Sequence, residues 1–421
     1  MQSHTEQPAA ELPIPTEKQL RWQNDEYGGF VHFNMSTFVG TGNHCEAGLD
    51  PSLFHPTELD CRQWARVARD AGMRMLVLTA KHHDGFCLWP TELTDYSVKS
   101  SSWRDGTGDV VADCAQACAE YGLGLGIYLS PWDKQHDSTA PEYPAFYDAQ
   151  LRELLGGRYG AVRLLWLDGY GAKSIGPAAY ERWIETAREL QPELIFRRGW
   201  GPDGRWGGTE QPVVGYPQWS MLDPEQAYHL RMDEGDDLLQ PYLHHGDPDG
   251  PLWMPAEADP QSYAGGAWFW HPDAELRPFE PFDGYETTVW RNAVLLRGLG
   301  PDRRGLIPED VAAYLARCKA HRDVFLESRL VTTGTVGTAS LAAPSRVGHV
   351  MLGEDIARGQ RVRAFTIDLG DAGEWTTVFR GESIGRKQLC SFAPRRADRI
   401  RVRVTDAVAQ PSLEEMTVYP E

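Results

Sequence analysis

The chain has 421 residues, enough for one large domain and one small one. Hydrophobic residues make up 41% and charged residues 24%, ordinary globular usage that excludes a disordered, collagenous or disulfide-stapled chain. Lys+Arg 41 against Asp+Glu 60 leaves a net charge of −19, which repels phosphate backbones and anionic lipid, so nucleic acid is not an expected partner while neutral ligands stay open.

Residues 1–18 are polar and Pro-rich and predict a mobile lead-in. No basic stretch followed by an apolar run marks a signal peptide there, which points to a cytoplasmic location. Seven cysteines, with no CxxC pair, predict buried free thiols in a reducing compartment. No stretch approaches about 18 apolar residues, so no membrane span is expected. Beyond the lead-in, residues 30–33, 73–79, 123–129, 162–167 and 194–196 read as strands. Between them, 61–71, 109–121, 146–155 and 178–190 read as helices, the second stopped by Gly122. The strands are nearly continuous apolar runs, as expected when both faces are buried, and their alternation with helices predicts a parallel α/β architecture. No GxGxxG follows the first strand and no P-loop occurs, which favours a (β/α)8-like barrel over a nucleotide-binding sheet. Residues 197–285 lack periodicity and predict long loops over the barrel mouth. Order returns at 289–299 and in a helix at 308–326. After 330 the runs at 347–352, 362–369, 374–379, 387–392, 399–405 and 414–419 predict an all-β sandwich. The expected division is a lead-in at 1–18, a catalytic barrel at 19–330 and a sandwich at 331–421.

A barrel carries its chemistry at the C-terminal ends of its strands. Those ends hold His82, His83 and Asp84, then Trp132 and Asp133, then Asp168, with His32 in the first strand. Asp168 closes an apolar strand before Gly169, a rigid seat that suits a nucleophile as well as a loop cap. His82 and His83 are adjacent, so strand alternation predicts that only one faces the centre and the other lies in the turn. A metal would draw His32 and Asp168 in as further ligands, but no HxH or HExxH spacing occurs, and no metal or cofactor is expected. Trp89, Trp132, Trp166 and Tyr128 lie beside these positions. Their rings suit the C–H faces of a sugar as well as a core.

Ordered blocks of this chain resemble the α-L-fucosidases of glycoside hydrolase family 29. Gly29-Phe30-Val31-His32-Phe33 and Ser36-Thr37-Phe38 are similar to the family's first strand. The block from Leu78 through Lys81-His82-His83-Asp84-Gly85-Phe86 to Pro90 is similar to its second, and Gly126 to Asp133 to its third. Trp166-Leu167-Asp168-Gly169 resembles its nucleophile strand. Gly201-Pro202-Asp203-Gly204-Arg205-Trp206-Gly207-Gly208-Thr209-Glu210 is like the acid/base loop of the branch that cuts α-1,3/1,4-fucosyl linkages. The likeness covers roughly 17–325. Asn34 departs from a usual Gly, Cys45-Glu46-Ala47-Gly48 from a usual Glu-Trp-Gly, and Gly265-Gly266-Ala267 from an Arg-containing stretch.

The resemblance implies an exo-acting, retaining glycosidase acting on fucosylated oligosaccharides or glycoconjugates without a cofactor. It implies Asp168 as nucleophile and Glu210 as acid/base, with Glu257 as the competing acid or a sugar ligand. His32, Glu46, His82, His83, Tyr128 and Trp132 would bind the fucose. The rival readings are a carbohydrate-binding protein without turnover and a metal-assisted barrel hydrolase.

Overall fold

The computed structural model describes residues 12–168, 175–197, 203–229, 236–334 and 337–421. Strands β1 (Tyr27–Val31), β2 (Met75–Lys81), β3 (Gly124–Leu129), β4 (Val162–Trp166), β5 (Ile195–Arg197) and β6 (Arg205–Trp206) follow one another along the chain. A two-strand ribbon of β7 (Met221–Leu222) and β8 (Leu252–Trp253) precedes β9 (Ala256–Ala258) and β10 (Val294–Leu299). Eight of these pair in parallel in the order β5-β4-β3-β2-β1-β10-β9-β6. A parallel bridge between Arg197 and Gly204 brings the two ends of the sheet together, so the expected barrel is present.

Alternation along the strands sorts side chains into two layers. Phe30, Met75, Val77, Tyr128, Leu164, Trp166, Ile195, Val294 and Leu296 form the inner cluster. Leu76, Leu78, Leu125, Ile127 and Leu165 join the outer one, against Trp64, Cys114, Leu151 and Trp183 of the surrounding helices. Helix Val110–Tyr121 starts where the Asp109 carboxylate accepts from Ala112 N and ends at Gly122, φ 69°, as read from the sequence.

Two readings are corrected. The region read as loops over the mouth supplies barrel strands β6 and β9, which are two and three residues long. Runs that short carry no periodicity. The lead-in also ends earlier than read: a helix spans Glu17–Asp25, opened by a capping box between Thr16 and Gln19. It inserts Trp22 into the inner cluster and ties Lys18 to Asp203 at 2.7 Å. Residues 1–11 lie outside the described part.

The C-terminal strands are β11 (Val331–Thr333), β12 (Thr338–Glu354), β13 (Val362–Asp371), β14 (Glu374–Gly381), β15 (Gln388–Ala407) and β16 (Leu413–Pro420). They form one antiparallel six-stranded sheet. The runs expected as separate strands at 387–392 and 399–405 belong to the single strand β15. β12 and β15 shift register between Ser340 and Ser345, and both halves of the sheet contribute to one core that includes Val347, Leu352, Phe365, Ile367 and Val402. This β-domain is fastened to the barrel. Lys387 Nζ lies 2.7 Å from Glu26, Arg386 also pairs with Glu26, and Gln360 Oε1 accepts from Ser220 N at 2.9 Å. No helix among the described residues is long and apolar enough to cross a membrane, and all seven cysteines are buried and free of disulfides.

Candidate active site

Side-chain phase delivers the mouth. Leu164 and Trp166 point inward, so Asp168, two residues further, continues that face beyond the end of β4. Its side chain is 22% exposed, its Oδ2 accepts from the Tyr128 hydroxyl at 2.9 Å, and His83 Nε2 stands 3.5 Å away. His32 follows Phe30 in the same way at the end of β1. It is buried between Trp268, stacked at 4.6 Å, and Phe269, edge-on at 5.2 Å.

Contrary to the alternation argument, both histidines of the His82-His83 pair reach the mouth. The β2–β3 register shifts between Thr79 and Lys81, and the phase changes there. Lys81 turns outward to Asp133 at 2.8 Å and Gln150 at 2.9 Å. His82 then stacks on Tyr128 at 5.4 Å, 5.8 Å from His32. The turn that follows, closed by Gly85 at φ 88°, presents His83 to Trp132 at 4.9 Å. Ser130 Oγ donates to the Trp132 carbonyl at 2.6 Å, so at 2.7 Å it accepts from His83 Nδ1. Burial pushes His32 down to about 3 and His83 down to about 4, the latter against the pull of Asp168. Burial also holds His82 well below the ordinary imidazole value, helped by His83 and His32. All three imidazoles are neutral near pH 7.

Glu210 closes the other side. Its residue is exposed on the loop after β6, but its carboxyl is gripped by Gln261 Nε2 at 2.5 Å and by Trp268. Burial of that carboxyl raises its pKa, and the nearby Asp168 charge raises it further. Burial raises the pKa of Glu257 as well, against the pull of Arg197, but its surroundings are different. It is fully buried on β9, 2.9 Å from Arg197 Nε, and accepts from Trp166 Nε1 at 2.9 Å. Glu46, placed beside the sugar on resemblance, is 84% exposed and paired with Lys134 at 2.7 Å. Its loop brings His44 inward instead, 5.5 Å from His83 and 5.8 Å from Trp132.

His44, Trp268, Gln261 and Asp259 were not singled out from the sequence. The altered stretches around 45–48 and 263–270 adjoin the first two, but gave no direction for their side chains. Trp89 fills the core and donates to Glu153 at 2.7 Å. Asn34 caps the short helix Met35–Val39 and donates to the buried Asp84 at 2.7 Å, so the departure from Gly builds a turn contact. Gly169, Gly201 and Pro202 lie outside the described residues. Among the described residues no three His, Cys, Asp or Glu side chains are grouped to hold a metal ion.

A parallel barrel whose mouth joins an accepting carboxylate, a second carboxyl biased toward its protonated form, neutral imidazoles and indole faces has the parts of a glycoside hydrolase. A family model described as alpha-L-fucosidase matches residues 3–208. The chain is 34% identical to Alpha-L-fucosidase 1 of Arabidopsis thaliana, over 91% of its own length and 83% of that protein. A putative α-L-fucosidase from Bacteroides thetaiotaomicron superposes with a TM-score of 0.90 at 32% identity, covering 99% of each chain. A glycoside hydrolase 29 family member from an unknown rumen bacterium does so with a TM-score of 0.88 at 32% identity, over 98% of this chain and 78% of that one. The chain belongs to the α-L-fucosidase family, glycoside hydrolase family 29, and is an α-L-fucosidase.

Proposed function

We propose that the enzyme removes terminal α-L-fucosyl residues from oligosaccharides or glycoconjugates by double displacement with retention, α-1,3/1,4 linkages favoured. Asp168 attacks the anomeric carbon while the glycosidic C–O bond breaks and Glu210 gives its proton to the departing oxygen. A β-fucosyl ester on Asp168 results. Esterification removes the Asp168 charge, one of the two influences that raise Glu210, so Glu210 becomes more acidic and turns into the base for the incoming water. Water attacks the same carbon, the ester bond to Asp168 breaks, and α-L-fucose leaves.

The observation that carries this reading is the unequal pair: Asp168 held by the Tyr128 hydroxyl, Glu210 raised by burial and by Asp168. The tie of Glu257 to Arg197 and Trp166 supports Glu210 over Glu257 as the acid. His32, His82, His83, Tyr128 and Trp132 hold the sugar. His82 Nδ1 is buried without a hydrogen-bond partner among the described residues. Glu46 stays at the rim. The linkage preference rests on the likeness of the loop ending at Glu210.

Asp168→Ala should abolish fucose release, and azide should restore turnover as β-L-fucosyl azide. Retained activity without azide would sink the nucleophile assignment. Glu210→Ala should slow an oligosaccharide far more than an activated aryl fucoside, which needs little protonation of its leaving group. EDTA should leave the rate unchanged. Chromatography of digests of defined α-1,2, α-1,3, α-1,4 and α-1,6 fucosides tests the linkage.

A further inference from the structure

The loop bearing Glu210 is gripped from behind by the segment that follows β9. Asp259 Oδ1 accepts from Trp206 Nε1 at 2.7 Å, and Gln261, two residues on, donates to Glu210 at 2.5 Å. Both ends of Trp206–Glu210 are therefore fastened to one short stretch of backbone. That stretch is itself fixed: Gly298 N donates to the Pro260 carbonyl at 2.9 Å, and Arg297 Nη1 donates to the Gln261 carbonyl at 2.5 Å. A side chain at Gly298 would meet Pro260 and Gln261 backbone within 2.8 Å. Asp259 is 2% exposed, and its nearest cation among the described residues, Arg197, stands 3.8 Å away and is already engaged by Glu257 at 2.9 Å. A buried carboxyl with a shared cation is expensive to maintain, and an indole N–H could be satisfied more cheaply by a neutral acceptor.

We propose that Asp259 is a positioning residue for proton transfer: through Trp206 and the adjoining Gln261 it sets where the Glu210 carboxyl stands relative to the leaving oxygen. The inference rests on the assignment of Glu210 as the acid. Misplacing a proton donor by about 1 Å costs on the order of 100-fold, and only where protonation limits the rate. Asp259→Leu should lose about tenfold or more in kcat on a fucosyl oligosaccharide and less than about threefold on 4-nitrophenyl α-L-fucoside. Asp259→Asn, which keeps the acceptor for Trp206, should restore the wild-type ratio of the two rates. Trp206→Phe keeps an aromatic ring but lacks the indole N–H and should reproduce the split, so it decides the matter if Asp259→Leu does not fold. Equal losses on both substrates, or no loss, overturn the proposal when Glu210→Ala in the same series shows the split. If Glu210→Ala shows none, the acid assignment itself falls and the proposal with it.

Discussion

The Tyr128 hydroxyl donates to Asp168 at 2.9 Å at the mouth of the barrel. A hydrogen bond to a charged group contributes about 1.5–3 kcal/mol. Tyr128→Phe should therefore lower kcat/KM by about 10- to 100-fold while leaving the thermal midpoint nearly unchanged, since the ring still packs between His82 and Trp166. An unchanged kcat/KM would show that this hydrogen bond does not orient the carboxylate. The same residues show how far pattern reading reaches. Asp168 and His32 were legible because an apolar strand of known phase aims the residue beyond its end, and Tyr128 because it holds the inward phase near the end of β3. Glu46 was misplaced and His44 missed because a loop without periodicity carries no phase. In the folded chain Glu46 pairs with Lys134 at 2.7 Å and stays exposed.

At the scale of elements, β2 is joined to the loop after β3 and to helix Tyr143–Leu155 by a buried cation. Lys81 Nζ touches Asp133 and Gln150, with neither charged side chain reaching solvent. Burial works against the Asp133 charge, but Lys81 and the hydrogen bonds from His136 hold the carboxyl well below the usual range. Removing one member of a buried pair leaves an uncompensated charge and costs about 3–5 kcal/mol. Lys81→Met should lower stability by that amount in urea titrations, and Lys81→Met combined with Asp133→Leu should recover part of it. Equal losses in the single and double variants would argue against the charge as the cause. Lys81 and Asp84 of the Lys-His-His-Asp block thus build the turn, while the two histidines between them face the barrel mouth.

Across the whole molecule, three neutral imidazoles are buried together at the mouth. His32 is pushed down by burial to about 3, His83 to about 4, and His82 lies well below its ordinary value. A group whose folded pKa is depressed contributes stability above its unfolded value of 6.5, and that contribution is lost as the pH falls toward the folded value. Each histidine should remove about 1.4 kcal/mol per pH unit below pH 6.5, the loss from His83 levelling off near pH 4. Urea midpoints measured from pH 7 to 5 should fall accordingly, and His83→Asn should flatten the slope by about one proton. A slope unaffected by that change would show that other groups govern acid sensitivity. The β-domain docks through Glu26, which is kept charged against the cost of burial by Arg386 and Lys387. Its stabilising effect persists to lower pH than that of the histidines.

The amino-acid sequence by itself determined the parallel barrel, the capped helices, the all-β tail and the strand-end positions of His32, Tyr128 and Asp168. Each follows from local periodicity, caps and the two-residue phase of a strand. Tertiary structure alone decided that β6 and β9 complete the ring, because strands of two or three residues take their conformation from their neighbours. It decided that both His82 and His83 face the mouth, because the register shift after Thr79 depends on pairing with β3. It also separated two carboxyls of equal chemistry. Glu257 lies against Arg197 in the closed interior, and Glu210 stands within reach of the Asp168 field. Burial and charge neighbours are properties of the folded chain, and they, rather than residue type, set what a carboxyl can do.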